Sequence, residues 1–134
     1  MSHLITDIPQ KALIVHEGKV LIAYDAVEKR WELPGGRIEV GEEHDLASAL
    51  RREIKEELGV DVKVGVIFDA FVFTRKNSHC VLIYECSLMD LPSEIKVDGA
   101  EVGEVRWIGA VDEVRALEME DGYKMAIAKF LGEQ

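Results

Sequence analysis

The sequence predicts an α/β fold, a mixed β-sheet held between helices in an α/β/α sandwich, built as one domain from residues 1–134. Three observations carry that expectation. Two apolar runs near the start are spaced as a hairpin, a strongly amphipathic helix interrupts the strand pattern, and a second apolar-striped helix closes the chain. No internal repeat, low-complexity tract or linker divides the sequence, and 134 residues suffice to bury a core.

Taken in order, Lys11-Ala12-Leu13-Ile14-Val15-His16 and Val20-Leu21-Ile22-Ala23-Tyr24 flank a turn at Glu17-Gly18-Lys19 and read as a hairpin. Trp31 to Pro34 makes a short strand leading into a glycine loop. The central helix begins after Asp45, whose carboxylate suits an N-cap, and stops at Gly59, which suits a left-handed C-cap. Val62 to Thr74 is β-rich, Arg75-Lys76-Asn77-Ser78 breaks it, and His79 to Leu88 supplies the partner strand. Met89 to Gly99 is polar and carries Pro92, a loop; Val105-Arg106-Trp107-Ile108 is a further strand. Val111 to Leu117 and Gly122 to Leu131 form helices, the last with Tyr123, Ile127, Phe130 and Leu131 as its apolar stripe.

The central helix carries Arg52-Glu53-Ile54-Lys55-Glu56-Glu57-Leu58. Residues three and four apart are neighbours on a helix, so Glu53, Glu56 and Glu57 crowd one side and repel one another. At about 100° per residue, Leu46, Ala47, Leu50, Ile54 and Leu58 form the packing stripe. Glu57 projects into that stripe, Glu53 lies at its edge and Glu56 further round. A solvated acidic face paired with Arg51, Arg52 and Lys55 is the plainer reading of such a helix, but the angular position of Glu57 argues against it. An unpaired buried carboxylate costs several kcal/mol, on the order of the penalty for burying an ion, so a partner is required. A divalent cation is one, and Mg²⁺ favours a few carboxylates together with phosphate oxygens and water.

Upstream, Trp31-Glu32-Leu33-Pro34-Gly35-Gly36 precedes Arg37-Ile38-Glu39-Val40-Gly41-Glu42, a backbone that turns sharply and approaches a neighbour or ligand closely. Together, Gly36 to Val60 resembles the Nudix box, G-x5-E-x7-R-E-U-x-E-E-x-G-U with U aliphatic. Gly36, Glu42, Arg52, Glu53, Ile54, Glu56, Glu57, Gly59 and Val60 fit by residue type. One departure stands out: nine residues separate Glu42 from Arg52 where the pattern has seven. Counting forward from Gly36 selects Glu42; counting back from Arg52 selects His44. A longer loop costs little, and the R-E-U-x-E-E-x-G-U half is intact.

The resemblance implies a Nudix-like α/β/α sandwich and a metal-dependent pyrophosphohydrolase that cleaves a nucleoside diphosphate linked to another group, with Mg²⁺ or Mn²⁺ as cofactor. It implies Glu53 and Glu57 as main metal ligands, Glu56 as a ligand or water-activating group, and the Gly36 carbonyl as a further ligand. Arg52 is expected to orient a glutamate. Glu101, before the last strand, is the candidate late-loop base, with Glu104 beside it. Arg37 and Arg75 are candidate phosphate contacts. Trp31, Phe68, Phe71, Phe73, Tyr84 and Trp107 are available to stack on a base, although strand aromatics more often pack in a core. The first expectation for the substrate is a nucleoside triphosphate cleaved to the monophosphate and pyrophosphate. ADP-ribose or another nucleotide sugar is the alternative, and members acting on these often form homodimers. A non-catalytic nucleotide-binding module is the alternative of another class.

A net charge of -10 argues against binding a nucleic-acid polymer through its phosphates. It is compatible with a nucleotide bridged by metal ions. Cys80 and Cys86 are six residues apart on one strand, roughly 20 Å if extended, too far to pair with each other. His3, His16, His44 and His79 lack zinc-ligand spacing. No signal peptide and no apolar run of about 20 residues is present, so the expected location is the cytoplasm with no membrane partner.

Overall fold

The computed structural model describes residues 2–90, 95–97 and 99–132. Among these, the strands are β1 (Thr6–Asp7), β2 (Pro9–His16), β3 (Lys19–Asp25), β4 (Arg30–Glu32), β5 (Gly35–Arg37), β6 (Val62–Thr74), β7 (Ser78–Leu88) and β8 (Val102–Ile108). The helices are α1 (Leu46–Leu58), α2 (Asp112–Arg115) and α3 (Asp121–Gly132). The described strands join one mixed sheet ordered β1-β7-β2-β3-β4, with β6 on β7, β8 on β3 and β5 on β2.

At the centre β2 and β7 run parallel, from Gln10 opposite Leu82 to Val15 opposite Ser87. Parallel strands are normally covered on both faces, and here successive residues feed two cores. Leu13, Val20, Ile22 and Ile83 pack with Tyr123, Ala126 and Ile127 of α3. Ala12, Ile14, Leu21 and Ala23 pack with Leu50, Ile54 and Leu58 of α1. The sheet is thus held between α1 and α3, the α/β/α arrangement expected.

The differences from expectation are two short strands and the ends of longer elements. β1 was not foreseen, because its two residues owe their strand geometry to pairing with Ser78 and His79. The glycine loop begins as strand β5, with Gly35, Gly36 and Arg37 opposite Lys11, Gln10 and Pro9. Only that distant partner makes the segment a strand. β8 starts at Val102 rather than Val105, drawn out by pairing with Asp25 of β3. Helix α2 is shorter than the expected Val111 to Leu117. Of the expected Met89 to Gly99 loop, residues 91–94, including Pro92, and 98 lie outside the described residues. Cys80 and Cys86 are both free, Cys86 buried. Among the described residues no helix is long and apolar enough to cross a membrane.

Candidate active site

Helix α1 is set by its ends and by one face. The Asp45 carboxylate accepts the Ser48 N–H at 3.1 Å, and Gly59 turns left-handed at φ 69° with its N–H donated to the Lys55 carbonyl. Ala49, Leu50, Ile54 and Leu58 are buried, with Leu46 and Ala47 half-buried beside them. That anchored face fixes the carboxylates: Glu57 and Glu53 are half-buried and Glu56 is exposed.

Strand β5 is laid against this helix. The Gly35 N–H donates to Glu57 Oε2 at 3.1 Å. A Cβ added to Gly36 would stand 2.5 Å from Glu53 Oε2 and 2.6 Å from its Cδ, so only glycine lets the backbone lie this close to the Glu53 carboxylate. Gly36, Glu53 and Glu57 are thereby gathered in one place.

Arg52 ties the rest together. It donates to Glu42 Oε2 through Nε at 3.1 Å and Nη2 at 2.7 Å, to Glu53 Oε1 at 3.0 Å and to Glu56 Oε2 at 3.0 Å. The other Glu42 oxygen accepts the Glu39 N–H at 3.0 Å. The lengthened stretch between Glu42 and Arg52 opens with a 3-10 turn over Glu42–His44, entered from Gly41 at φ 100°. Of the two residues left open by counting, Glu42 meets Arg52, while His44 is exposed, with Nε2 3.5 Å from Glu43. Losing Glu42 would leave Arg52 to press on Glu53 and Glu56. With Glu53 and Glu56 in the cation-binding roles that the resemblance implies, Glu42→Ala is expected to raise the metal concentration for half-maximal activity about 10-fold, the scale of losing a group that orients ligands. A metal titration of activity checks it.

The electrostatics follow the burial. Glu57 is pushed up to about 7 by burial, opposed by the Lys11 ammonium and the Gly35 N–H and reinforced by Glu32 and Glu53. Burial likewise raises Glu53, against the pull of Arg52 and with Glu56 and Glu42 adding to it. Glu42 is held below the usual carboxylate range by the Glu39 N–H and by Arg52. Glu42 in turn, with Glu56 and Glu53, keeps Arg52 firmly protonated despite some desolvation.

Among the described residues no three His, Cys, Asp or Glu side chains converge as a ready-made cation cage. The carboxylates are shared instead between Arg52 and the Gly35 N–H. The donor set is nevertheless suited to a hard divalent ion: carboxylate oxygens, and the main chain at a glycine where a side chain would fill the space beside Glu53. Mg²⁺ and Mn²⁺ fit that chemistry.

The remaining candidates are dispersed. Glu101 stands just before β8 in a turn closed by the Gly99 N–H on the Val102 carbonyl, and its own carbonyl accepts the Ala26 N–H at 2.9 Å. Glu104 lies within β8, with one oxygen 3.4 Å from Arg106 Nε. Arg37, next to Gly36, is exposed, its Nε 3.4 Å from Asp7. Arg75 donates to Glu120, just before α3, at 2.8 Å. Trp31 and Tyr84 are buried, and Phe68, Phe71 and Phe73 pack on the α3 core.

Sequence reasoning missed Lys11 and Glu32. Lys11 is 7% exposed, ion-paired with Glu32, and its Nζ lies 3.4 Å from the Gly35 carbonyl oxygen. The available signal was alternation: Lys11 shares a strand face with the apolar Leu13 and Val15.

Comparison with known proteins adds the lineage. The sequence model of the NUDIX domain matches residues 2–130. Mouse diphosphoinositol polyphosphate phosphohydrolase 3-alpha is 28% identical over 100 residues, 74% of this chain and 59% of that protein. The chain thus spans less than two thirds of the length of the curated relatives it matches. Among solved structures, a MutT protein from Methanosarcina mazei Go1 superposes with TM-score 0.78 at 21% identity, over 99% of this chain and 98% of that one. An ADP-ribose pyrophosphatase from Streptococcus suis gives 0.71 at 18% identity, over 96% and 92%. A UDP-X diphosphatase gives 0.75 at 22%, over 99% and 64%. These likenesses are of fold.

Proposed function

This chain belongs to the NUDIX domain family, and from that premise we propose that it is a metal-dependent pyrophosphohydrolase cleaving the phosphoanhydride of a nucleoside diphosphate linked to a further group. The observation that carries the reading is the placement of Glu53 and Glu57 of α1 against Gly35 and Gly36 of β5, with Arg52 gathering Glu42, Glu53 and Glu56. Glu53 and Glu57, with the Gly36 carbonyl, would hold Mg²⁺ or Mn²⁺. The bound ion would neutralise charge developing on phosphate oxygens and lower the pKa of a bound water.

This chain's own residues supply the rest. Arg52 keeps three glutamates from spreading into solvent, through charge-assisted hydrogen bonds. Glu56, exposed and among the described residues reached by Arg52 alone, would serve as a further ligand or as the group that takes a proton from water. Glu101 is the alternative base. Arg37 is the phosphate contact nearest the glycines.

The substrate reading turns on cations. The relatives named for diphosphoinositol polyphosphates suggest one class, but such a substrate carries many phosphates. Here Lys11 is buried against Glu32, Arg52 is committed to glutamates, Arg75 is held by Glu120, and Arg37 stands beside Asp7. With a net charge of -10, a substrate with few phosphates fits better. A nucleoside triphosphate cleaved to monophosphate and pyrophosphate is the first class. A nucleotide sugar such as ADP-ribose is the second; it too carries few phosphates.

The test is a panel of nucleoside triphosphates, nucleotide sugars and a diphosphoinositol polyphosphate, incubated with Mg²⁺ or Mn²⁺ and with EDTA, products identified. Metal-dependent pyrophosphate release is the expected result; a nucleoside monophosphate with a sugar phosphate selects the second class. Binding of nucleotide without turnover would overturn the enzyme reading in favour of a regulatory module.

A further inference from the structure

A buried ammonium is costly unless it is paired and hydrogen-bonded, and an apolar pair of similar volume often packs as well or better. The Lys11–Glu32 pair therefore calls for a reason beyond stability. Lys11 Nζ reaches two groups: the Glu32 carboxylate and, at 3.4 Å, the carbonyl oxygen of Gly35. The same glycine gives its N–H to Glu57 at 3.1 Å. Gly35 is thus held from both sides, between a strand of the sheet and the carboxylate helix. The peptide whose oxygen faces Lys11 is the one that leads into Gly36, which lies flush against Glu53.

We propose that Lys11, held in place by Glu32, is a positioning residue that fixes the Gly35–Gly36 peptide and so sets how the Gly36 carbonyl and the Glu53 and Glu57 carboxylates face a divalent cation. Lys11 touches neither the cation nor the substrate. The inference rests on the reading of those three groups as cation ligands. Its action is geometric: the charge of Glu32 beside Lys11 partly offsets the ammonium, so removing both changes the field at Glu57 less than removing Lys11 alone.

That offset defines the experiment. Lys11→Met alone strands the half-buried Glu32 carboxylate and destabilises the fold, whereas Lys11→Met with Glu32→Gln removes both charges and retains the volume. Mn²⁺ binding, with the metal alone, is measured by electron paramagnetic resonance on the wild type, this double variant and Glu57→Gln, with melting temperatures alongside. The double variant is expected to melt within a few degrees of wild type yet bind Mn²⁺ about 10-fold more weakly, the scale seen when ligand-orienting partners are lost. Its kcat at saturating Mn²⁺ should fall by less than its Mn²⁺ affinity does. Wild-type Mn²⁺ affinity in the folded double variant overturns the proposal. Wild-type affinity in Glu57→Gln, or no binding to the wild type, overturns the ligand reading instead. Should the double variant not fold, the wild type titrated with Mg²⁺ and followed by ¹⁵N NMR decides. The Lys11 ammonium and the Gly35 and Gly36 amide signals are expected to shift with one midpoint, and a stationary Lys11 signal beside a moving Gly36 amide overturns the proposal.

Discussion

Replacing Glu57 with Gln is expected to lower kcat by more than about 100-fold, the upper end of the losses seen when groups that merely orient metal ligands are removed, and to stabilise the metal-free protein. Both effects have one cause. The apolar stripe of α1 carries Glu57 toward the sheet, where burial raises its pKa to about 7. A carboxylate so raised takes up a proton on folding between its unfolded value of 4.5 and about 7. Its contribution to stability is fully present below the lower value and is lost as pH rises through the upper one. Above that window the folded protein carries an ionised, desolvated carboxylate that Gln does not. The variant should therefore gain on the order of 1–3 kcal/mol at about pH 8 and little at about pH 4, given 1.36 kcal/mol per pKa unit reduced by screening. Denaturant titrations of both proteins in EDTA at the two pH values measure it. A bound cation must displace that proton, so Mg²⁺ should raise the wild-type melting temperature more at about pH 8 than at about pH 6, and leave the variant nearly unmoved. Activity within a few-fold of wild type would remove Glu57 from the site.

Gly35→Ala is expected to have the largest effect on the fold. At φ 144° the residue occupies backbone space that L side chains rarely adopt, and a Cβ there would run into the Gln10 carbonyl oxygen across the β2–β5 pairing. The obstacle is strand backbone, which cannot rotate aside. Backbone strain and overpacking each cost about 1–3 kcal/mol, roughly 2–6 kcal/mol together, a large share of the 5–15 kcal/mol typical of a domain. Loss of β5 would also withdraw the N–H from Glu57, so activity should fall even where residual fold remains. Equilibrium unfolding in urea with and without Mn²⁺ checks this; a stability loss under about 1 kcal/mol would show that β5 is not held as described. The neighbouring glycine differs in kind, because a Cβ at Gly36 meets the tip of the Glu53 side chain, which can swing. Damage there falls on the site rather than on the fold.

What the sequence determined by itself was local and periodic. The caps at Asp45 and Gly59, the stripe of Leu50, Ile54 and Leu58, and the turning order of Glu57, Glu53 and Glu56 from buried to exposed all follow from a 3.6-residue repeat within one segment. The unbroken apolar runs of β2 and β3 likewise fit a sheet covered on both faces. What only the tertiary structure decided depends on partners far apart in the chain. Glu42 rather than His44 meets Arg52 because a 3-10 turn over Glu42–His44 opens the lengthened segment, a conformation with no repeat to betray it. The glycines form a strand because Gln10 and Lys11 are there to pair with them. Lys11 reaches Glu32 across 21 residues and Gly35 reaches Glu57 across 22. Contacts at such separations arise from how the strands and helix are stacked, and a side chain's spacing from its own neighbours carries no trace of them.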